Sequence, residues 1–452
     1  MKDSLLNKRI INKHNEIARK KRRDYEKKVM SNFFELGLEK LEYSGKRLSF
    51  YYSPLFFSEE SFSKLNIISL AFCALFKKIY LLLDAGKIEE FLPYSEKMLE
   101  LIKLQNGYEE FFPIMRFDYF YDFETEKFCL CEINTDGSSG MSKSYFLDKI
   151  FSDTEVMSCL HREYIVTSID GVNKLIDMLC ENYRRFSGGK KPSTVAIVDV
   201  EWQNQGMINE FIFIRDRLKK RGIEAYICSP EELRRRNKKL LLNGIEIDLI
   251  YRRAVTSDLI NNIENAEDFI RAVAEKEVCL IGGFSSQLLH NKFIFALLYQ
   301  EKFQKYLSEA EKDLIKRYVP YTIYLGKDID LGLFQERKND YLLKPVDSYQ
   351  SKGIIIGRDV TEEIWRESLE GLCGKEYLLQ SYVEMNQIKA LDIKDGFEES
   401  KDCNLMLGMF YYNREFSGFY TRMSEEKNIS SLLGARNVAN YIFKEKEKII
   451  ND

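Results

Sequence analysis

Hydrophobic positions recur at helical spacing in the first part of the chain and then change to strand-like runs. Helical spacing dominates residues 1–110, where the longest apolar run is LNIISLAFCALF at 65–76. Two lysines end this run before it reaches membrane-spanning length, so we interpret it as part of a buried helix. Residues 113–135 have strand character, and residues 145–186 return to helical spacing.

The second half of the chain alternates predicted strands and helices. After a polar linker at 187–192, the segments STVAIVDVEW, EAYICSP and IDLIYRR predict strands. INEFIFIRDRLKKRG predicts an amphipathic helix between the first two, and PEELRRR a helix start. Apolar strands separated by helices are typical of a parallel sheet, so a small doubly wound α/β domain is expected at about 193–285. From residue 321 short strands dominate, and EESKDCN at 398–404 is interpreted as a surface loop.

The composition shows no charge excess that would select a macromolecular partner. The 452 residues comprise 45% hydrophobic and 31% charged residues, and the formal net charge is −3. These values are typical of a soluble chain of two or three domains, with no nucleic acid or membrane indicated as a partner. Only residues 1–28 are strongly basic, with 11 Lys/Arg against 4 Asp/Glu. Their helical apolar spacing favours a surface helix packed on the domain.

The cysteine pattern indicates a reducing compartment. Nine cysteines without a C-x-x-C pair argue against a disulfide framework and against a zinc site. The first residues are charged and lack the apolar core of a signal peptide. We therefore expect a cytoplasmic protein.

Two neighbouring predicted strands, IMRFDYFY and KFCLCEIN, contain polar side chains among their apolar residues. Because side chains alternate along a strand, Phe128, Leu130, Glu132 and Asn134 are expected on one face. If the two strands form a hairpin, Asp118 lies opposite Glu132 and Arg116 lies opposite Asn134. Two carboxylates and an amide oxygen are ligands that Mg²⁺ prefers, and a neighbouring arginine can bind a phosphoryl oxygen. The alternative is a surface hairpin with a solvated ion pair between Arg116 and Asp118.

The RFD segment, followed by EIN and a turn of small residues, resembles the metal-binding segment of the glutathionylspermidine synthase-like, circularly permuted ATP-grasp ligases. The resemblance implies a mixed α/β (α+β) fold with a circularly permuted ATP-grasp core. It implies a helical N-terminal region at 1–110 and an ATP-grasp part with the hairpin at 111–190. A small doubly wound α/β domain, similar to a pre-ATP-grasp domain, would be inserted at 191–288. The nucleotide-binding part would follow at 289–452.

The resemblance also implies roles for individual residues. The magnesium ligands would be Asp118, Glu132 and Asn134. The catalytic residues, which would contact the transferred phosphoryl group or the substrate, would be Arg116 and Arg422. The ATP-binding residues would be Lys292, Lys344, Ser348, Gly353, Gln380, Tyr382 and Val383. Candidate substrate-binding residues would be Ser138, Ser139, Arg252 and Arg253. The loop DSYQSKG at 347–353 would cover the phosphates, although it is poor in glycine.

The activity implied by the resemblance is that of an ATP- and Mg²⁺-dependent carboxylate–amine ligase. A substrate carboxylate would attack the γ-phosphate to give an acyl phosphate, and an amine would then displace phosphate to form an amide bond. The substrates would be a peptide or amino acid and an amine, and the oligomeric state is not indicated. Two alternatives stay open: an ATP-dependent phosphotransferase, and a catalytically silent nucleotide-binding protein of the same fold.

Overall fold

The computed structural model describes residues 2–43, 45–261, 263–347, 352–384, 386–430 and 433–447, which form a mixed α/β fold. The helices are α1 (Lys2–Lys20), α2 (Arg22–Glu35), α3 (Glu59–Asp84), α4 (Glu96–Ile102), α5 (Met141–Ser152), α6 (Glu155–Leu160), α7 (Gly171–Ser187), α8 (Ile208–Lys220), α9 (Thr256–Asn261), α10 (Glu267–Ala274), α11 (Gln287–His290), α12 (Phe293–Leu297), α13 (Glu301–Gln304), α14 (Glu309–Tyr318), α15 (Gly332–Glu336) and α16 (Glu362–Leu372). The strands are β1 (Glu42–Tyr43), β2 (Lys46–Arg47), β3 (Leu55–Ser58), β4 (Ile114–Tyr121), β5 (Phe128–Asn134), β6 (Tyr164–Thr167), β7 (Thr194–Val198), β8 (Glu224–Cys228), β9 (Leu233–Arg236), β10 (Lys239–Leu242), β11 (Ile245–Glu246), β12 (Leu249–Arg252), β13 (Cys279–Ile281), β14 (Thr322–Tyr324), β15 (Tyr341–Pro345), β16 (Ile355–Ile356), β17 (Tyr377–Ser381), β18 (Ile388–Lys394), β19 (Phe397–Tyr412), β20 (Glu415–Ser424), β21 (Arg436–Val438) and β22 (Asn440–Glu445).

The predicted hairpin is part of an antiparallel sheet with the strand order β21-β20-β19-β4-β5, to which β18 adds by pairing with β19. The register of β4 and β5 is the expected one: Arg116 pairs with Asn134, and Asp118 with Glu132. A bulge at Cys131 interrupts this register, because the next pair joins Tyr119 to Leu130. The bulge turns Leu130 to the opposite face, where it is fully buried in the main core. The prediction that Phe128 and Leu130 share a face with Glu132 is therefore wrong.

A second antiparallel sheet has the strand order β14-β17-β15-β16. One face packs Leu343 and Leu379 against Trp365 of α16, in a small core separate from the main one. Leu342 and Gln380 pair across β15 and β17 and lie on the other face. This face is directed towards the cavity described below.

The alternating segment after the linker forms a parallel sheet with the order β13-β12-β7-β8. Helix α8 connects β7 to β8, as the sequence pattern predicts. The domain boundaries and the circular permutation stay predictions.

The predicted helix start at PEELRRR is wrong. A single 3₁₀ turn at Pro230–Glu232 leads directly into β9, which pairs with β10. Asn237 and Lys238 join these two strands with φ angles of 52° and 58°. Two consecutive left-handed residues make a tight hairpin turn, so strand pairing replaces the helix after one turn.

The surface-loop interpretation of 398–404 is also wrong, because this segment is the first part of β19 and pairs with β18. Asp395 and Gly396 form the connecting turn with φ angles of 53° and 76°. An Asp-Gly pair between strands is a strong hairpin signal. Polar residues occupy both faces at this end of the sheet. The alternation of apolar and polar residues that normally indicates a strand is therefore missing from the sequence.

The basic N-terminal helices pack on the domain, as the sequence indicates. Ile10 and Ile11 of α1 are buried in the main core. The basic side chains pair with acids elsewhere in the chain, as in Lys8–Glu124 at 2.9 Å, Lys28–Asp153 at 2.8 Å and Arg19–Glu398 at 3.2 Å. Much of the positive charge of this region is therefore offset within the protein.

Helix α3 is long and apolar enough to cross a membrane by length and composition alone. Core helices pass the same test, and Phe72, Phe76 and Ile79 of α3 are fully buried in the main core. The side chain of Phe72 lies 6.4 Å from that of Phe117 on β4, measured between ring centres. Helix α3 thus packs behind the hairpin and supports its core face.

Candidate active site

A cavity of roughly 470 Å³ lies between the two antiparallel sheets. Strands β5 and β19 supply Glu132 and Met406 from the first sheet, and β15 and β17 supply Lys344 and Gln380 from the second. Six residues predicted from the sequence line this cavity: Glu132, Lys292, Lys344, Gln380, Tyr382 and Val383. The fold therefore brings together residues that are up to 251 positions apart in the chain.

Two lysines and one carboxylate form the charged end of the cavity, which we call the lysine end (Glu132, Lys292, Lys344). Lys292 Nζ lies 3.1 Å from Glu132 Oε1, and Lys344 Nζ donates to the carbonyl oxygen of Cys131 at 3.4 Å. Burial raises the pKa of Glu132, but Lys292 and two more distant arginines outweigh it and lower this pKa to about 2. Burial, reinforced by repulsion from Lys292, lowers the pKa of Lys344 to about 8. The lysine end thus combines two lysine side chains with one carboxylate whose pKa is lowered.

A second charged group, the arginine–aspartate cluster (Arg116, Asp118, Asn134, Arg422), lies on strands β4, β5 and β20 of the first sheet. Arg116 binds Asp118 bidentately, with Nε–Oδ1 at 2.6 Å and Nη2–Oδ2 at 2.9 Å. Arg422 Nη2 donates to Asp118 Oδ2 at 2.8 Å, and Asn134 Nδ2 donates to the same oxygen at 3.2 Å. The Asp118 side chain is 0% exposed. Its charge is thus offset by protein groups.

Gly408 of β19 makes room for this cluster, because it pairs with Asp118 on one side and with Tyr420 on the other. A Cβ atom at Gly408 would lie 2.4 Å from the Tyr420 carbonyl oxygen and 3.1 Å from Asp118 Oδ1. A side chain at this position would therefore crowd both neighbours.

The oxygen donors fit a magnesium ion through Glu132 and Asn134. The Glu132 side chain is 28% exposed and lines the cavity. Asn134 gives its amide nitrogen to Asp118, which directs its oxygen away from that carboxylate. Asp118 already accepts hydrogen bonds from two arginines and from Asn134. Its contacts are therefore those of a residue that orients the Asn134 amide. The described part of the chain has no group of three or more His, Cys, Asp or Glu that could hold a metal ion.

The opposite end of the cavity has apolar walls with polar groups at one edge. The apolar walls are formed by Phe120, Leu342, Ile356 and Met406. Gln380 Nε2 donates to Thr322 Oγ1 at 2.7 Å, and the Arg358 guanidinium lies 4.5 Å from the ring centre of Tyr382. A slot of this kind fits a planar heteroaromatic ring, with the lysine end placed to bind anionic groups.

The two arginines at the end of β12, Arg252 and Arg253, are not among the residues that line the cavity. Arg252 is buried and pairs with Asp136 at 2.6 Å, and it also donates to the Gly283 carbonyl oxygen at 2.9 Å. Arg253 is buried and donates to the Ser138 carbonyl oxygen and to Tyr251 Oη. Both guanidinium groups thus have partners inside the protein. The structure does not bring either arginine to the predicted substrate position.

The remaining predicted residues lie in different parts of the structure. The Ser139 carbonyl oxygen accepts from Arg116 Nη1 at 2.6 Å, so the loop after β5 contacts the arginine–aspartate cluster. Gly353 has a φ of 75°, and a Cβ atom at this residue would lie 2.9 Å from Pro345 Cγ. Ser348 and the middle of the predicted phosphate loop lie outside the described residues.

Sequence reasoning missed several residues of the cavity. Met406 and Asn404 alternate along β19, and Phe120 of β4 pairs with Met406. The alternation of NLMLGM would have indicated one shared face. The loop residues Lys427 and Ile429 also line the cavity, but no local pattern in the sequence indicates them.

Comparison with known proteins gives the fold but no family. No family model and no curated protein matches the chain. A glutathione synthetase like-effector from Globodera pallida, solved in its apo form, is 14% identical with a TM-score of 0.58, covering 94% of this chain and 97% of that chain. A protein described as a gamma-glutamylcysteine synthetase from Methylobacillus flagellatus KT is 14% identical with a TM-score of 0.41, covering 81% and 87%. The first similarity shows a shared fold; the second is too low to carry an argument.

Proposed function

We propose that the chain is an ATP- and Mg²⁺-dependent carboxylate–amine ligase that forms an amide bond through an acyl phosphate. The observation that supports it is the lysine end, where Lys292 and Lys344 meet Glu132 at one end of a cavity between two sheets. Excess positive charge in a half-buried cleft fits the phosphates of a nucleotide. The apolar slot at the other end fits its base.

In this proposal, the lysines bind phosphate oxygens and offset the charge that develops during phosphoryl transfer. Glu132 and Asn134 would hold Mg²⁺, which supplies further positive charge next to the transferred group. Arg116 and Arg422 fix Asp118, and Asp118 in turn orients the Asn134 amide. The arginine–aspartate cluster is therefore a rigid support for the ligand-binding edge of β5.

The reaction needs no nucleophile from the protein. A carboxylate oxygen of the substrate attacks the γ-phosphorus, the bond to the β-phosphate oxygen breaks, and ADP leaves. An amine then attacks the carbonyl carbon of the acyl phosphate, the C–O bond breaks, and the amine proton leaves with inorganic phosphate. The cavity walls limit the access of water to the acyl phosphate.

One observation favours a second candidate, a catalytically silent nucleotide-binding protein. Asp118 accepts from Arg116, Arg422 and Asn134 at once, which leaves it less able to act as a metal ligand. A protein that binds a nucleotide without turnover does not need a third metal ligand.

Calorimetric titration with a non-hydrolysable ATP analogue tests the nucleotide site. We expect Mg²⁺-dependent binding to the wild type and at least tenfold weaker binding to Glu132→Gln. The matched control is Glu311→Gln, which removes another ion-paired carboxylate, 2.6 Å from Lys78 and not among the residues that line the cavity. Absence of binding to the wild type, or equal binding in all three proteins, contradicts the proposal.

Hydroxylamine trapping separates the candidate reactions. With ATP, Mg²⁺ and a pool of amino acids and peptides, a ligase yields ADP together with a hydroxamate from the acyl phosphate. ADP without hydroxamate indicates phosphotransfer to another kind of acceptor. Nucleotide binding without ADP indicates the silent binding protein.

A further inference from the structure

A short relay of hydrogen bonds fixes one side chain at the apolar end of the cavity. Gln380 Nε2 lies 2.7 Å from Thr322 Oγ1, and Thr322 Oγ1 lies 2.9 Å from the carbonyl oxygen of Pro320. Thr322 is 0% exposed and Gln380 is 4% exposed, so water does not compete with these contacts. The relay joins the edge strand β14 to its neighbour β17, where the two residues pair directly.

The direction of the relay follows from the chemistry of its three groups. A carbonyl oxygen can only accept, so the Thr322 hydroxyl must give its one proton to Pro320. The Thr322 oxygen then has only acceptor capacity for Gln380. The amide must therefore direct its NH₂ group to Thr322 and its Oε1 away from it.

The orientation of Gln380 determines what the cavity offers to a ligand. Leu342 and Lys344 lie on one face of β15, and Gln380 pairs with Leu342 across β17, so the three side chains share the cavity face. Gln380 makes no hydrogen bond through Oε1 among the described residues. The atom presented at the apolar slot is an acceptor.

We infer that Thr322 is the residue that sets the base specificity of the nucleotide site, by holding Gln380 as an acceptor for the exocyclic amino group of a 6-aminopurine. This inference rests on the proposed function, since it needs a nucleotide in the cavity. A base with an amino group at this position satisfies Oε1, whereas a 6-oxo base places a second acceptor against it. A buried acceptor left without a donor weakens binding by about tenfold or more.

Thr322 acts through Gln380 and is a positioning residue. Replacement of Thr322 by valine keeps the shape of the side chain but removes the acceptor, so the Gln380 amide loses its anchor and can turn over. Serine keeps the hydroxyl and the relay. A purely structural role of Thr322 would change both nucleotide affinities together and would not alter their ratio.

The test measures the affinities of non-hydrolysable ATP and GTP analogues, and of a purine riboside analogue without the 6-amino group, by calorimetric titration. We expect the wild type and Thr322→Ser to prefer the ATP analogue by about tenfold or more, and Thr322→Val to lose most of that preference. Gln380→Met is the second variant, which removes the amide itself and should abolish the preference even if valine at position 322 impairs folding.

The outcomes separate this inference from the proposed function. If no purine nucleotide binds to the wild type, the proposed nucleotide site is wrong. If nucleotides bind and Thr322→Val keeps the wild-type ratio, or if the wild type binds all three analogues equally, the nucleotide site stands and the role of Thr322 is overturned.

Discussion

The arginine–aspartate cluster and the lysine end have the same formal charges, two cations and one carboxylate, but they are built differently. In the cluster, Asp118 is fully buried and receives hydrogen bonds from both arginines and from Asn134, all on strands of one sheet. The lysine end joins both sheets, and its members line the cavity. The first group is closed within the protein, and the second is open to a ligand.

This difference determines which measured quantity each of the two groups should affect. A carboxylate held by two guanidinium groups contributes to folding, because removing it leaves buried cations without a partner. Two lysines next to one carboxylate keep positive charge in a cleft, where like charges repel each other. Variants of the cluster should therefore change the free energy of unfolding, and variants of the lysine end should change nucleotide affinity.

The largest effect is expected for Asp118→Ala. The substitution leaves the buried Arg116 and the partly buried Arg422 without their shared carboxylate, and it should lower the free energy of unfolding by about 3–5 kcal/mol. Urea denaturation measures the change. The control is Asp313→Ala, which removes an exposed partner of Arg317 and should cost less than about 1 kcal/mol. Equal small losses in both variants would mean that the cluster is not a structural support.

Lys344→Met should produce the opposite pattern. The change removes a cation whose burial is unfavourable, so the folded state should keep its stability while the affinity for an ATP analogue falls about 100-fold, or about 2.7 kcal/mol. Parallel calorimetric and urea titrations measure both quantities. Lys312→Met, at a partly exposed lysine of α14, is the control that should change neither. A loss of stability without a loss of affinity would reverse the assignment of the two groups.

The register of the hairpin was predictable, because it follows from side-chain alternation along RFD and EIN once the two strands pair. The bulge at Cys131 was not, since nothing local distinguishes it from the neighbouring strand residues. The sequence indicated which polar groups converge, and its alternative interpretation included the Arg116–Asp118 ion pair, but it did not indicate that this pair is buried. That Asp118 is held by Arg422 depends on β20, which lies about 300 residues further along the chain.

Side chains that complete the cavity from other elements were harder to predict. Lys427 and Ile429 belong to a loop, and only the packed structure brings that loop to the cavity. Arg252 and Arg253 show the converse case, in which a plausible pair of strand-end arginines is used by internal partners such as Asp136. Burial and partner choice are tertiary properties, so a single sequence does not determine them.

A smaller effect on the cluster is expected for Gly408→Ala. The new methyl group would crowd the Tyr420 carbonyl oxygen and Asp118 Oδ1, and it should lower the free energy of unfolding by about 2 kcal/mol. Gly371→Ala is a matched control on helix α16, since a Cβ at Gly371 has no atom within 4 Å. The control should be neutral or slightly stabilising. If both variants behave alike in urea denaturation, close packing around Asp118 does not require glycine.

The smallest effect concerns pH, and it should separate the two groups within one protein. Burial and Lys292 lower the pKa of Lys344 to about 8, below its value of 10.5 in the unfolded chain. Between these values the unfolded state binds more protons, so the contribution of Lys344 to stability rises with pH.

Nucleotide binding requires the ammonium form of Lys344, so the affinity for an ATP analogue should fall about tenfold for each pH unit above 8. Lys344→Met should lose both slopes, whereas the arginines of the cluster stay charged throughout this range. An affinity that stays constant from pH 7 to about pH 9.5 would show that Lys344 does not bind the nucleotide as a buried, titrating ammonium.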